Sequence, residues 1–168
     1  FNRIAGRRIA IVHDMAGVTR DRIAAEVEWA GQPFTLVDTG GIGLIPGEKS
    51  DDIIATATVD QVNVAIEAAE TIIFVVNLQE GIVPLDEEVA QYLHQSGKPT
   101  LLAINKADNP KSEENAVEFA SLGFEKMFPV SALHDRGTDE LMLQALEHLP
   151  RVAESSPVET PEGSELKL

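Results

Sequence analysis

Two short runs in the middle of the chain are almost wholly apolar, and a helical pattern separates them. The runs cover residues 71–77 and Thr100–Asn105, which is typical of strands buried on both faces of a parallel sheet. Between them, Pro84 and the acidic residues after it predict the first turn of a helix that ends at Gly97. Strands alternating with helices predict an α/β fold, a mostly parallel sheet with helices on both faces.

The segments on either side of this region carry weaker patterns of the same kinds. Residues 22–29 alternate loosely, residues 30–33 have the composition of a turn, and residues 34–38 resume the strand, so a hairpin is predicted. Residues 52–69 place apolar side chains at helical spacing. The remaining predicted elements are a helix over 112–122, a strand over 126–130 and a helix over 138–149.

Composition narrows the possible classes of function. Of the 168 residues, 43% are apolar, which suits a globular domain, and the net charge of −15 disfavours nucleic-acid binding by the general surface. A local pocket for one phosphorylated ligand stays open. The chain has no Cys, which suits a reducing compartment such as the cytoplasm, and its longest apolar run is too short to span a membrane.

The composition changes after Pro150. Residues 151–165 are rich in Pro, Ser and Glu with no periodic apolar face, which predicts an acidic linker after a domain over residues 1–150. A terminal tail without a structural role is the alternative. Alternation resumes in "ELKL", as if another strand began at residues 166–168.

Ligands of such sheets bind at the carboxyl ends of the strands, which directs attention to "DTGG" after the second hairpin strand. The carboxylate of Asp38 is a suitable water-mediated ligand for Mg²⁺. Gly41, three residues later, allows a backbone N–H to approach a phosphate because it has no Cβ. The alternative is an Asp that only caps a turn.

Two further polar motifs follow strands later in the chain. "NKAD" at residues 105–108 provides a carboxylate, Asp108, that can accept two parallel hydrogen bonds from the N1–H and amine of guanine. Adenine offers the opposite pattern, and such a mismatch reduces binding by roughly 10⁴. The stem of Lys106 would lie along the base, and Asn105 would join neighbouring loops. The small pair Ser131-Ala132 would let backbone N–H groups reach the base carbonyl.

Four stretches occur in order along the chain and together form a highly specific pattern: "FNRIAGRRIAIVHDMAGVTRD", "LVDTGGI", "INKAD" and "FPVSALHDRG". Over residues 1 to about 150 the chain resembles the first G domain of the EngA (Der) family of P-loop GTPases, in the TrmE-Era-EngA-like superfamily. The resemblance implies a Ras-like fold, tandem G domains, and a GTP-hydrolysing switch in assembly of the large ribosomal subunit. The linker and "ELKL" would then lead into a second G domain.

The resemblance also implies roles for individual residues. Thr19 would bind Mg²⁺ from switch I, and Asp38 and Gly41 would act from switch II, at residues 39–50, on Mg²⁺ and the γ-phosphate. These three residues are the expected catalytic set. The positions expected to contact GTP or GDP are Asp38, Thr39, Gly40, Gly41, Ile42, Asn105, Lys106, Asp108, Ser131 and Ala132.

Two departures from GTPase patterns affect the expected chemistry. Ile42 stands where Ras-like enzymes have the Gln that orients the attacking water. The resemblance implies that a K⁺ ion supplies charge near the phosphates, held by a P-loop Asn that these residues do not include. No Gly-x-x-x-x-Gly-Lys-Ser/Thr occurs in the 168 residues. We therefore expect the first strand and P-loop to be missing, the strand edges beside them to be unpaired, and GTP binding by these residues alone to be weak.

Two other classes of function remain open at this point. One is a non-catalytic interaction module that keeps the shape of a G domain and has lost turnover. The other is a different GTPase of the superfamily, of the Era or tRNA-modification type.

Overall fold

The computed structural model describes residues 1–6, 23–39 and 63–150. The expected linker at 151–165, the segment 166–168 and most of the helix predicted over 52–69 lie outside these ranges. The described elements, in chain order, are α1 (Asn2–Ala5), β1 (Ile23–Trp29), β2 (Gln32–Asp38), α2 (residues 63–68), β3 (Ile72–Asn77), α3 (Pro84–Ser96), β4 (Thr100–Asn105), α4 (Pro110–Glu113), the 3₁₀ helix η1 (Glu114–Leu122), β5 (Met127–Pro129) and α5 (Thr138–Leu146).

Strands β1 and β2 form the predicted antiparallel hairpin, with a turn shorter than expected. Ala30 and Gly31 have φ of 50° and 78°, so both central residues adopt the left-handed conformation that suits a two-residue turn. Pro33 was predicted in the turn but pairs with Glu28 in the hairpin. The pair Trp29–Gln32 closes the turn, and hydrogen-bonded and non-hydrogen-bonded pairs alternate from there. The ladder therefore requires no N–H from Pro33.

Strands β3, β4 and β5 form a parallel sheet with β4 at its centre. Ile72 pairs with Thr100 at one end of the β3–β4 ladder and Asn77 with Asn105 at the other. All four central side chains of β4, Leu101 to Ile104, are at most 1% exposed, so both faces of this strand are covered as predicted.

The two faces of this sheet are covered by different helices. One face packs against α3 and η1, where Phe74, Leu102 and Ile104 meet Leu93 and Phe119. The other face packs against α5; its buried residues are Leu101, Ala103, Phe128, Val130, Leu141 and Ala145. The predicted class, an α/β sheet with helices on both faces, is confirmed.

The same prediction is wrong at one position of β3. Val75 is 57% exposed, although the apolar run predicted that both faces of this strand would be buried. The residues of α5 that cover this face pack over β4 and β5, and only Ile73 of β3 reaches their edge. Among the described strands, β3 pairs with β4 alone, and the hairpin forms a separate sheet.

The segment predicted as one helix over 112–122 is instead a short α-helix followed by a nine-residue 3₁₀ helix. It begins earlier because Pro110 occupies its first turn and the side chain of Asn109 accepts a hydrogen bond from the Ser112 N–H at 2.9 Å. The buried residues Ala116, Phe119 and Leu122 recur every three positions, which matches the three residues per turn of a 3₁₀ helix.

Other predicted boundaries differ by a few residues. The last strand is limited to Met127–Pro129, and the last helix ends at Leu146 rather than 149. Helix α3 begins at Pro84 and is capped by Gly97 at φ 68°, as predicted. In the described part of the chain, no helix combines the length and apolar character needed to cross a bilayer.

The cap at Asn109 gives a first testable prediction. Asn109→Ala removes the acceptor for the Ser112 N–H, so we expect α4 to lose about 1 kcal/mol, whereas Asn109→Gly loses a few tenths. Hydrogen–deuterium exchange of residues 109–122 in the full-length protein measures this as faster exchange in the Ala variant. Equal exchange in both variants would show that the cap does not hold this segment.

Candidate functional site

The carboxyl ends of β4 and β5 bring two polar loops together. The backbone N–H of Ala107 donates to the carbonyl of Val130 at 3.0 Å, and the N–H of Val130 donates to the carbonyl of Ile104 at 2.9 Å. The parallel ladder thus continues into the loops that leave both strands. Residues 105–108 and 131–136 therefore meet at the sheet edge where ligands of α/β folds bind.

Side-chain contacts fasten these loops to each other at two points. The side-chain Oδ1 of Asn105 accepts a hydrogen bond from the backbone N–H of Ala132 at 3.1 Å. The hydroxyl of Ser131 donates to Oδ1 of Asp108 at 2.7 Å. We call these four residues the loop clasp. It joins two motifs that are more than 20 residues apart in the sequence.

Ser131 is the most deeply buried member of the loop clasp, with no exposed surface. Its Oγ also accepts a hydrogen bond from the backbone N–H of His134 at 3.2 Å. Its own N–H and carbonyl pair with Arg136 at 2.9 and 3.1 Å, which closes the loop on itself. The buried hydroxyl therefore donates one hydrogen bond and accepts another, as buried polar groups generally do.

The loop after β4 combines a buried anchor with a strained neighbour. Ala107 is 1% exposed and belongs to the hydrophobic core, whereas Lys106 is exposed and Asp108 is half-buried. Lys106 has φ of 68°, a conformation that residues other than glycine adopt rarely and at some cost in energy. Strain of this kind persists where surrounding contacts hold the backbone, here the buried Ala107 beside it.

The loop clasp leaves hydrogen-bonding capacity in a specific place. A carboxylate offers about four acceptor positions, and the contacts described for Asp108 use one of them, for Ser131. The backbone N–H of Ala132, which the sequence assigned to a base carbonyl, donates to Asn105 instead. A base carbonyl that binds here would have to share the Ala132 N–H with Asn105 or replace Asn105 as its acceptor.

The other candidate residues lie elsewhere or outside the described ranges. Asp38 ends β2 in the hairpin rather than in the parallel sheet, and Thr39 follows it; both are half-buried. Thr19, Gly40, Gly41 and Ile42 lie outside the described residues. Within those residues there is no group of three or more His, Asp or Glu side chains that could hold a metal ion.

Three residues that shape this region lie in the quoted stretches, but the sequence analysis gave them no role. Arg136 donates to Oε1 of Glu113 at 2.6 Å and so connects the Ser131 loop to α4. Arg3 of α1 contacts the same loop from the other side. Gly137, with φ of 69°, begins α5 beside Pro129. Only Gly137 has a signal in the sequence, since a glycine directly before a helix favours a left-handed residue there.

Comparison with known proteins agrees with the motifs. The family model described as "50S ribosome-binding GTPase" matches residues 1–106, which include α1, both sheets as far as β4, and the first two residues of "NKAD". The chain belongs to this family of GTPases. The match ends before Asp108 and the Ser131 loop.

Individual members of the family are similar over most of the chain. GTPase Der of Ligilactobacillus salivarius is 46% identical over 153 residues, 91% of this chain and 34% of that protein. GTPase Der of Aquifex aeolicus is 48% identical over 149 residues, covering 89% of this chain and 34% of that protein. These matches confirm the resemblance to the first G domain of Der-type (EngA) GTPases. The chain spans about a third of the length of these curated relatives.

Solved structures confirm the Ras-like P-loop GTPase fold. Era, in a complex with MgGDPNP and a segment of 16S ribosomal RNA, has a TM-score of 0.79 and 27% identity; the match covers 95% of this chain and 54% of that one. The G domain of FeoB from Methanococcus jannaschii has a TM-score of 0.60 at 22% identity, with 88% and 86% of the two chains covered. This second likeness concerns the fold alone.

Proposed function

We propose that the protein is a GTP-binding and GTP-hydrolysing switch that acts in assembly of the large ribosomal subunit. The observation that carries the proposal is the loop clasp, in which Asp108 and Ser131 are hydrogen-bonded at 2.7 Å at the end of the parallel sheet. Membership of a family described as 50S ribosome-binding GTPases supports the partner. A protein that works on ribosomal subunits is expected in the cytoplasm.

The clasp geometry favours guanine over adenine. The carboxylate of Asp108 keeps acceptor capacity for the N1–H and amine of guanine while Ser131 occupies one lone pair. Adenine presents an acceptor where guanine presents N1–H, and it would leave a half-buried carboxylate without a donor. The N–H of Ala132 would donate to a base carbonyl once Asn105 shares or releases it.

Mg²⁺ fits the residues present. Asp38 at the end of β2 offers the hard carboxylate oxygen that Mg²⁺ prefers, directly or through water, and Thr19 would add a hydroxyl. Bound Mg²⁺ would neutralise charge that develops on the phosphates during hydrolysis. The Asn ligand expected for K⁺ belongs to the phosphate-binding loop, which is outside these 168 residues, so a K⁺ site stays a prediction.

Hydrolysis would depend on both switches and on a phosphate-binding loop. Ile42 has no group that could orient water, so Thr19, Asp38 and Gly41 would act with a phosphate-binding loop outside these 168 residues. For the same reason we propose that the 168 residues alone bind GTP weakly.

Nucleotide competition in the full-length protein tests the proposal. We expect GTP and GDP to displace a fluorescent GDP analogue, ATP to compete at least about 100-fold more weakly, and hydrolysis to stop when EDTA removes Mg²⁺. With a non-hydrolysable GTP analogue, the protein should sediment with isolated 50S rather than 30S subunits. Equal competition by ATP, or preference for 30S subunits, would contradict the proposal.

A non-catalytic module is the alternative candidate. The phosphate-binding motif Gly-x-x-x-x-Gly-Lys-Ser/Thr does not occur in the 168 residues. Sedimentation with 50S subunits that is independent of nucleotide, together with no hydrolysis by the full-length protein, would decide for the module. Sedimentation with 30S subunits would favour an Era-like role, since the similar Era structure contains 16S ribosomal RNA.

A further inference from the structure

One arginine contacts the loop clasp from a distant part of the chain. Arg3 of α1 lies 129 residues before Ala132, yet its Nε donates to the Ala132 carbonyl at 2.8 Å. Its Nη2 donates to the next carbonyl, of Leu133, at 3.1 Å. The carboxylate of Asp135 lies 3.7 Å from the same Nε. One guanidinium therefore holds two consecutive carbonyls, which suits its planar, pre-organised set of donors.

These contacts complete the restraint on Ala132. Its N–H donates to Asn105, and its carbonyl accepts from Arg3, so the peptide groups on both sides of its Cα are fixed in direction. Arg136 also holds the first of these peptides, through the Ser131 carbonyl at 3.1 Å, and Arg3 holds the second.

Packing does not provide this restraint. Ala132, Leu133, His134 and Asp135 are all exposed, Leu133 by 76%, so no buried side chain within this stretch anchors it. Asp135 is held at φ 55°, which is strained for a residue other than glycine. Polar contacts at the two ends and along the backbone must therefore determine the shape of the loop.

The ion pair is the weaker part of the interaction. The side chains of Arg3 and Asp135 are 39% and 60% exposed, and exposed pairs of this kind contribute little. Hydrogen bonds from a charged donor to backbone carbonyls are stronger than neutral ones. Because α1 contributes no buried residue, removing the guanidinium should leave the hydrophobic core intact.

We infer that Arg3 is a positioning residue for base recognition, which acts by fixing the Ala132–Leu133 peptide and, through it, the path of the loop that would present the Ala132 N–H to the base carbonyl. The inference rests on the proposed binding of guanine nucleotide. It assigns Arg3 to one contact of the base, the oxygen at C6, and not to the N1–H and amine that Asp108 would bind.

Nucleotide analogues separate these two contacts in the full-length protein. In 6-thio-GDP a sulfur, a weaker acceptor, replaces the C6 oxygen, and IDP lacks only the exocyclic amine. For Arg3→Ala we expect GDP affinity to fall about 5- to 10-fold, the value of one to two hydrogen bonds. The preference for GDP over 6-thio-GDP should shrink by a similar factor, and the preference for GDP over IDP should stay unchanged. Arg3→Lys should recover part of the loss.

Lys98→Ala is a matched control. Lys98 also donates to two backbone carbonyls, of Glu67 at 2.7 Å and Ala69 at 3.0 Å, but away from the loop clasp. We expect this variant to bind GDP within twofold of the unsubstituted protein.

Three results would overturn the inference. Unchanged GDP affinity in Arg3→Ala would show that the loop keeps its shape without Arg3. An equal loss for GDP, 6-thio-GDP and IDP would show a general structural role. A loss in Lys98→Ala as large as in Arg3→Ala would show the same. If the unsubstituted full-length protein binds none of the three nucleotides, the proposed function fails, and with it this inference.

Discussion

Replacing Asp108 with Asn in the full-length protein should reduce its affinity for GTP by at least about 100-fold. The carboxylate is proposed to accept two hydrogen bonds from guanine, and an amide can accept only through its oxygen. Its NH₂ group would face one donor of the base, so one of the two contacts is kept and the other becomes repulsive. Displacement of a fluorescent GDP analogue measures the change.

This substitution isolates base recognition from the structure of the site. The Ser131 hydroxyl donates to Oδ1 of Asp108, and an Asn at this position retains an oxygen that can accept the same bond. The loop clasp should therefore persist. Asp139→Asn is the control for charge, because Asp139 is an exposed carboxylate in the first turn of α5. We expect it to leave GTP affinity within twofold.

A xanthine nucleotide gives the positive counterpart. Xanthine carries an oxygen where guanine carries the exocyclic amine, and it keeps N1–H. An Asn at position 108 could donate to that oxygen and accept from N1–H, so Asp108→Asn should bind XTP more tightly than GTP. Loss of affinity for both nucleotides would point to a damaged site, and unchanged GTP affinity would exclude Asp108 from base recognition.

The elements that could be predicted from the sequence are those with strong local signals. Strand β4 has the predicted bounds, Thr100–Asn105, because a buried central strand is apolar throughout. Helix α3 was located by Pro84 at its start and Gly97 after its end, which are signals within single turns. The loops after β4 and β5 were predicted as candidate ligand sites because ligands of α/β sheets bind at the carboxyl ends of the strands.

The features that could not be predicted from the sequence depend on which other parts of the chain pack nearby. The apolar character of Val75 is that of a buried strand residue, but its exposure depends on how far α5 extends over β3. From the sequence, Ala116, Phe119 and Leu122 were compatible with an α-helix. Their burial at every third position shows the period of a 3₁₀ helix, and this depends on packing. Arg3 stands in the quoted stretch "FNRIAGRRIAIVHDMAGVTRD", but no local pattern indicates its contacts, because its partners lie about 130 residues away.

Gly137→Ala should destabilise the fold around the site more than any other substitution of a described glycine by alanine. An added Cβ would lie 2.4 Å from the backbone carbonyl oxygen of Pro129 and 3.3 Å from Cγ1 of Val130. The residue also has φ of 69°, where a side chain costs about 1–2 kcal/mol. Relief of the overlap requires a backbone shift, which adds about 1–3 kcal/mol.

Gly97→Ala separates the two causes of the lost stability, which are the left-handed conformation and the overlap with Pro129. Gly97 has φ of 68°, nearly the same as Gly137, but a Cβ there would meet no atom within 4 Å. The control should therefore show the cost of the left-handed conformation alone. Hydrogen–deuterium exchange of the full-length protein, measured at β5 for one variant and at the end of α3 for the other, compares the two local effects.

The shift caused by Gly137→Ala should also reach the proposed nucleotide site. Pro129 and Val130 lead directly into Ser131, whose hydroxyl reaches Asp108, so a displaced β5 end would disturb the loop clasp. We expect GDP affinity to fall in Gly137→Ala and to stay within twofold in Gly97→Ala. If both variants lose the same stability and neither loses affinity, the contact with Pro129 does not constrain this turn, and the loop clasp is held independently of the start of α5.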